Sequence, residues 1–574
     1  MFDFDIFEII VFLSRFVLPL LAVTIVARAA ASLLRERAEP ELWGTLSFSG
    51  GLRLPLTHWE NVIGRSVSSD VALKYPTLSR THAALIRDAR GLWRVHDLKS
   101  TGGVTVDGRE VPPDGYPVHG GSIIGFGGIT AVFFPAGEEA QYLADGVDYE
   151  LTDYEEIEEV APLRRPIRSG FTLALLTEFQ LLLGVAACCS RWETLSVAAP
   201  ISFALLIALT WGAYALTRVM RRRGFELETL AFLLCSVGLA VTCSSAPSQA
   251  IRQMLLLAAG LALYFSLGWF LRDLGRAKKL RWPIAGAGLA LLAVNIALGG
   301  TVFGAKNWLQ VGGFSFQPSE FVKIALIFAG AATLDRLFAR RNLIMFIGFA
   351  GACVGALALM SDFGTALVFF TAYLVIAFLR SGDFATVFLS VAGAAFGGFL
   401  AVLVKDHVAA RFSNWLHAWE NVSGSGYQQT RAMAAAASGG LFGVGAGAGW
   451  LHRVFAADTD LVFGMVCEEL GLIAALAVVA AIVVISVFPV RSSERARSSF
   501  YVIAACAAGA IFLIQSALNI LGSVDILPFT GVTLPFVSKG GSSLMACWGL
   551  LAFIKASDTR KGASFVVKAE RRAR

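Results

Sequence analysis

Charge is what this sequence has least of. Asp, Glu, Lys and Arg make up 16% of its 574 residues, against about 25% in an ordinary globular chain. Hydrophobic residues make up 56%. Soluble domains of this total length would have to hide more apolar surface than their cores can hold, because a folded surface needs polar cover. The shortage excludes a soluble multidomain enzyme and a disordered scaffold. Cysteine is scarce too. Cys188, Cys189, Cys235, Cys243, Cys353, Cys467, Cys506 and Cys547 all lie in or beside apolar stretches, without metal-ligand spacing. They read as small buried hydrophobes, not as the framework of a secreted disulfide protein. Lys and Arg are nowhere gathered on one soluble face, so nucleic acid is not an expected partner. What remains is a polytopic membrane protein, mainly α-helical. The deficit is uneven: residues from about 30 to 165 have an ordinary soluble composition, and almost everything after Phe171 is apolar.

The first apolar stretch, Ile6 to Ala27, is longer than a signal-peptide core and lacks a basic segment before it, so it is expected to anchor the chain (residues 1–37). Twelve more spans follow at Phe171–Cys189, Val197–Thr217, Leu227–Cys243, Met254–Leu271, Trp282–Leu298, Pro318–Leu334, Leu343–Met360, Phe363–Leu379, Phe384–Val404, Leu461–Phe488, Phe500–Leu521 and Ser542–Ile554. Each is near the ~20 residues a bilayer requires, apart from the short one at Ser542–Ile554, giving about thirteen helices. Basic clusters recur in alternate loops: Arg164/Arg165/Arg168, Arg218/Arg221/Arg222/Arg223, Arg276/Lys278/Lys279/Arg281, Arg336/Arg340/Arg341, Arg491/Arg495/Arg497 and Lys555/Arg560/Lys561. The positive-inside rule puts these loops in the cytoplasm, with the C-terminal tail (558–574), and the N-terminus outside. The segments 405–460 and 522–541 then face outward.

Between Leu46 and Pro135, short β-like runs such as Leu92–Val95, Val104–Val106 and Ala131–Phe134 alternate with turn signals, predicting an all-β sandwich in the cytoplasm. An acidic, then basic, linker (136–168) follows. The sandwich carries Gly64-Arg65, Ser79-Arg80-Thr81-His82, Ser100-Thr101-Gly-Gly103 and Asp107-Gly108. Two guanidinium groups and a hydroxyl suit a phosphate dianion. These residues resemble the forkhead-associated (FHA) family, whose pattern is GR, SxxH and then an Asn-Gly pair. The resemblance implies binding of phosphothreonine peptides, with Arg65, Ser79 and Arg80 holding the phosphate, His82 bracing the loop, and Thr101 and Asp107 beside the peptide. Gly102 and Asp107 stand where the family usually has Asn.

Charged groups at membrane depth are costly and draw attention as functional. Glu320 and Lys323 share a helix face in Gln317-Pro-Ser-Glu-Phe-Val-Lys323, as a structural ion pair or as site residues. Asp362 can cap the helix after it. Arg411, Trp415, Trp419, Tyr427 and Gln428 precede a glycine run, Ser438 to Gly449, which lacks the lysine of a nucleotide-binding loop. Asp458-Thr-Asp460 precedes a span carrying Glu468-Glu469, and Thr530 to Ser543 reads as a re-entrant loop.

Phe316 to Lys323 (FQPSExxK), Trp308, Asp362 with Gly364-Thr365, Tyr427-Gln428, Ser438–Leu441, Thr459-Asp460, Glu468–Gly471 and the TG…LPF.S.GGSS loop resemble, in order, the SEDS family (shape, elongation, division and sporulation) of RodA/FtsW type. The resemblance implies a ten-helix core (226–557), with the anchor and the helix pair 171–217 as additions. It further implies a glycosyltransferase that polymerises lipid II into glycan strands outside the plasma membrane of a bacterium, beside a class B penicillin-binding transpeptidase. Asp460 matches the family's essential aspartate and would be the base; the other reading makes it the N-cap of the helix starting at Leu461. Glu320, Lys323, Asp362, Arg411, Gln428, Ser538, Lys539 and Ser542 would line the substrate. Positive charge for the pyrophosphate would come from a divalent cation (Mg or Mn) or from Lys323 and Arg411. The family's HTDF is Asp458-Thr-Asp-Leu461 here, its QPD is Met360-Ser-Asp362, and Lys539 replaces an aromatic residue. The extra acid is expected to raise the pKa of Asp460, and Lys539 to meet a phosphate. Two other readings stay open: a lipid II flippase, and a non-catalytic scaffold linking phosphorylation to the cell-wall machinery.

Overall fold

The structure, a computed structural model, describes residues 6–35, 42–49, 51–66, 69–88, 91–136, 169–190, 196–302, 305–311, 314–332, 339–381, 384–493, 496–560 and 562–566. The acidic linker with its Arg164/Arg165/Arg168 cluster, and the last eight residues of the basic tail, lie outside them.

The soluble region is a sandwich of two sheets. Its strands are β1 (Gly44–Phe48), β2 (Arg53–Leu56), β3 (Glu60–Gly64), β4 (Val71–Ala72), β5 (Ala83–Arg87), β6 (Trp93–Asp97), β7 (Val104–Val106), β8 (Arg109–Glu110), β9 (Tyr116–Val118), β10 (Ile123–Phe126) and β11 (Ile129–Pro135). One sheet runs β2-β1-β11-β10-β7-β8 and the other β4-β3-β5-β6-β9. Alternation makes the core: Leu46, Ile63, Leu85, Trp93, Val95, Val106, Phe126 and Phe133 point inward between the sheets.

The membrane region begins with α1 (Ile6–Arg35), before the sandwich. After it come α2 (Ser169–Cys189), α3 (Ala198–Val219), α4 (Glu226–Ser245), α5 (Ala250–Phe270), α6 (Leu274–Leu298), α7 (Pro318–Ala332), α8 (Ala339–Leu359), α9 (Phe363–Ser381), α10 (Phe384–Val404), α11 (Asp406–Asn414), α12 (Tyr427–Gly439), α13 (Val462–Ser492), α14 (Ser499–Ser523) and α15 (Gly541–Ala556). Each span expected from the sequence falls on a helix of the described residues, although Ile344–Leu359, Phe363–Leu379 and Gly541–Ala556 are shorter apolar helices. Among the described residues, eight helices are long and apolar enough to cross a membrane, or nine if a bent pair is one span. α4 is the axis of the bundle, buried along its whole length. The additional helices α1 and α2 pack on each other, on α4 and, for α1, on α13. A small sheet of Gly300–Val302, Ala305–Val311 and Phe314–Phe316 joins α6 to α7, where the sequence predicts no element. α13 is broken at Gly471, whose φ of 84° is open to glycine at little cost.

The sandwich is docked on the bundle. Trp59, just before β3, is 4% exposed and belongs to the bundle's own hydrophobic core. Its ring packs edge-on against Tyr501 at the start of α14, and its amide donates to the Arg497 carbonyl at 2.6 Å. Glu60 pairs with Lys278 of α6 at 3.7 Å, and the Arg87 guanidinium lies over the rings of Trp43 and Trp59.

At this same end the structure differs from the loop-charge reading of Lys555 and Arg560. Both are buried. Lys555 pairs with Glu228 at 3.3 Å, and Arg560 with Glu226 at 3.1 Å and Asp558 at 2.8 Å. Ser32 of α1 donates to Glu226, which ties the anchor into the network. Charges taken out of water need such partners.

Candidate functional site

At the far end of the sandwich from Trp59, the candidate phosphate residues come together. The Arg65 amide donates to the Ser79 carbonyl at 3.0 Å, which joins the two loops. Gly64 permits this approach, since a Cβ there would overlap the Arg80 carbonyl oxygen. His82 is fully buried; its Nδ1 accepts from the Ser79 amide at 3.1 Å and its Nε2 meets the Gly103 carbonyl at 3.0 Å. Ser79 Oγ accepts from the Thr101 amide at 3.0 Å. The Arg65 and Arg80 side chains stay exposed. Both departures have physical reasons. A Cβ on Gly102 would come within 2.7 Å of the Gly127 Cα, so no side chain fits there. Asp107 makes the β7–β8 turn with φ 50°, and its carboxylate accepts from the Ile123 amide at 2.8 Å, in a structural role.

The second cluster lies where α13 begins and α14 ends. Asp460 closes a turn, its amide donating to the Ala456 carbonyl at 2.9 Å. It does not cap α13, whose N-cap is Leu461, so its carboxylate is not held by that helix. Burial pushes its pKa up to about 6, opposed by a hydrogen bond from Thr459 and by the nearby Arg411. Asp458 raises it too, but less than burial does, so the like-charge effect expected from the sequence is the smaller cause. Asp458 is itself neutralised: its Oδ2 accepts from Lys539 Nζ at 2.7 Å and from Ser245 Oγ at 2.7 Å. The two departures from the family pattern therefore form one ion pair. Lys539, expected at a phosphate, is engaged with Asp458.

The other expected residues divide between the site and its frame. Ser538 Oγ donates to the Thr459 carbonyl at 2.7 Å and holds the turn against the 530–543 loop. Ser542 Oγ accepts from the Gln317 amide at 3.1 Å, tying that loop to α7. Glu320 and Lys323 form a 2.7 Å ion pair, with side chains 5% and 1% exposed, inside the bundle. Asp362 caps α9 through the Thr365 amide at 3.1 Å and receives Asn307 at 3.2 Å. Gln428 donates to the Phe455 carbonyl at 2.9 Å. Arg411 is exposed, within electrostatic reach of Asp460. Glu468 and Glu469 accept amides of the glycine segment, from Trp450 and Gly447, each at 2.8 Å. The sequence reading missed Ser245 and Asn519. Asn519 lies with Gln515 and Ser516 in an otherwise apolar helix, and these uncharged polar groups at membrane depth are the signal that points to it.

Fold and sites together define a multi-pass membrane protein with a forkhead-associated domain at one end of its helical bundle and a carboxylate-bearing turn at the other. The chain belongs to the FtsW/RodA/SpoVE family: that family's model, described as a cell cycle protein, matches residues 229–561, and the FHA domain model matches residues 61–127. A relative in Mycobacterium tuberculosis, named peptidoglycan glycosyltransferase RodA, is 31% identical over 53% of this chain and 69% of its own. One in Coxiella burnetii, named probable peptidoglycan glycosyltransferase FtsW, is 34% identical over 45% of this chain and 72% of its own. Among solved structures, a chain from a peptidoglycan synthase complex is 25% identical and aligns over 58% of this chain and 96% of its own, at a TM-score of 0.48.

Proposed function

We propose that this chain is a peptidoglycan glycosyltransferase that polymerises lipid II at the outer face of a bacterial plasma membrane, with a cytoplasmic FHA domain that reads phosphothreonine. The observation that carries the activity is the Asp460 turn: a carboxylate titrating near 6, free of helix capping and within the field of Arg411. Such a group is a base at neutral pH. It takes the proton from the acceptor sugar's hydroxyl as that oxygen bonds to the anomeric carbon of the donor. The donor's bond to the lipid diphosphate breaks, the diphosphate leaves with the electron pair, and Arg411 offsets its charge. A divalent cation of the Mg or Mn type would enter with the diphosphate, which supplies oxygen ligands; among the described residues no three His, Cys, Asp or Glu converge to hold one.

Supporting the orientation, Lys278 and Arg497 lie at the end where the FHA domain docks, as the positive-inside rule asks of a cytoplasmic face. The partner outside is a class B penicillin-binding transpeptidase, which crosslinks the new strands. The test is glycan synthesis from purified lipid II by the full chain with its co-purified partner. Asp460→Ala should abolish synthesis while partner binding persists. Synthesis retained by the variant removes Asp460 from its role, and a wild-type chain that is inactive with its partner present favours a flippase or scaffold.

A further inference from the structure

Asn519 sits near the end of α14 and is 2% exposed. Its Nδ2 lies 3.3 Å from the Thr459 carbonyl, 3.2 Å from the Asp460 carbonyl and 2.8 Å from the Val532 carbonyl. It thus grips the peptide groups on both sides of the Asp460 Cα and ties them to the loop opposite. Val532 follows Gly531, where a Cβ would approach Asp460 Oδ2 to 3.2 Å. The carboxylate is therefore lodged against the same short stretch of loop to which Asn519 fixes its backbone.

The choice of side chain is chemically specific. Three carbonyl oxygens only accept, so the group facing them must donate. A carboxamide presents two N–H donors from one planar group; an isosteric carboxylate would present oxygen to oxygen. Among the described residues the Asn519 Oδ1 is buried without a partner. The amide keeps that unfavourable acceptor and still turns its nitrogen to the Asp460 turn.

We propose that Asn519 is a positioning residue for Asp460: it holds the turn closed against the 530–543 loop and thereby sets where the carboxylate sits and how little water reaches it. Asn519 acts through the backbone and does not touch the reacting atoms. The inference rests on Asp460 being the base, and its test is built so that the two can fail separately.

The experiment measures lipid II polymerisation by the full-length chain with its co-purified partner, across pH 5 to 8, for wild type, Asn519→Asp, Asn519→Ala, Asn519→Ser and Asp460→Ala. A displacement of about 1 Å at a reacting group costs on the order of 100-fold, so kcat of the Asp and Ala variants should fall by about 10- to 100-fold. KM for lipid II should stay within about twofold, since binding of substrate is not removed. In Asn519→Ala, opening the turn to water relieves the burial of Asp460, so the acid limb of the kcat profile should move to lower pH; in Asn519→Asp the new carboxylate opposes that shift by like-charge repulsion, so that variant is read on kcat alone. Serine, with one donor, should recover part of kcat and part of the shift. Wild-type kcat with an unmoved acid limb in Asn519→Ala overturns the inference. So does an equal loss at every pH with the limb unmoved, which marks a merely structural residue. Should Asn519→Asp fail to fold, the comparison of Ala with Ser decides on the same two readouts. Activity surviving in Asp460→Ala overturns the base assignment instead.

Discussion

Asp460 makes opposite demands on activity and stability. Its pKa is raised to about 6 chiefly by burial. For a carboxyl raised above its unfolded value, the stabilisation is fully present below the unfolded pKa and is lost as pH rises through about 6. The ionised form that serves as base is thus the form that burdens the fold. Asp460→Asn should therefore abolish polymerisation and raise stability at pH 7 by on the order of 2–3 kcal/mol, checked by thermal unfolding at pH 3 and pH 7.5, with the gain growing from the lower pH to the higher. In wild type, kcat should fall as pH drops through about 6. Beside it, the Lys539–Asp458 pair weakens the effect of the second negative charge on Asp460. Lys539→Ala should shift the acid limb to higher pH, and adding Asp458→Ala should bring it back, a double-mutant coupling of about 0.5–3 kcal/mol. Independent shifts would mean that the pair does not act as a unit. In the FHA loops, Arg65→Ala or Ser79→Ala should weaken a phosphothreonine peptide at least tenfold in a calorimetric titration and leave the unphosphorylated peptide unchanged, because the lost contacts are charge-assisted ones to phosphate.

At the scale of elements, strands β3 and β5 each work at both ends. Trp59 and Arg87 face the bundle; Arg65 and Arg80 lie about 20 Å away, since a strand rises ~3.3 Å per residue. Docking therefore leaves the reading loops uncovered. Tyr501 and Asn519 likewise mark the two ends of α14, about 27 Å apart at 1.5 Å per residue. One helix thus abuts the FHA domain and grips the Asp460 turn. Trp59→Ala should loosen the dock by about 3–5 kcal/mol, seen as faster hydrogen exchange at the first turn of α14, while phosphopeptide affinity stays unchanged. Exchange unchanged from wild type would show that Trp59 does not hold the dock. The elements themselves were largely legible. Runs of apolar residues near the thickness of a bilayer can only be helices, because lipid offers backbone groups no partners. The small sheet before α7 was not read from the sequence, since Ala305–Val311 lacks a clear alternating pattern and its outer strands have three residues each, although Gly312-Gly313 is a hairpin signal.

For the whole molecule, topology is the property to test. A cysteine introduced as Trp419→Cys should react with a membrane-impermeant thiol reagent in intact cells, and Arg80→Cys should react only after lysis. Both native side chains are exposed, so either failure is informative. The reverse pattern would invert the proposed orientation and put the chemistry inside.

Amino-acid order alone determined the scarcity of charge, the apolar runs, the alternating sandwich, and the ordered motifs that carry the family. These depend on near neighbours and on periodicity, so they survive without coordinates. Partner choice does not. Lys539 meets Asp458 across 81 positions and Asn519 meets Asp460 across 59. Whether Lys323 or Lys539 faces substrate or an acid, whether Asp460 caps a helix or stands free, and which tryptophan plugs the bundle are decided by distant chain segments arriving at one place. A buried charge or amide takes whichever partner packing delivers, and only the tertiary structure delivers it.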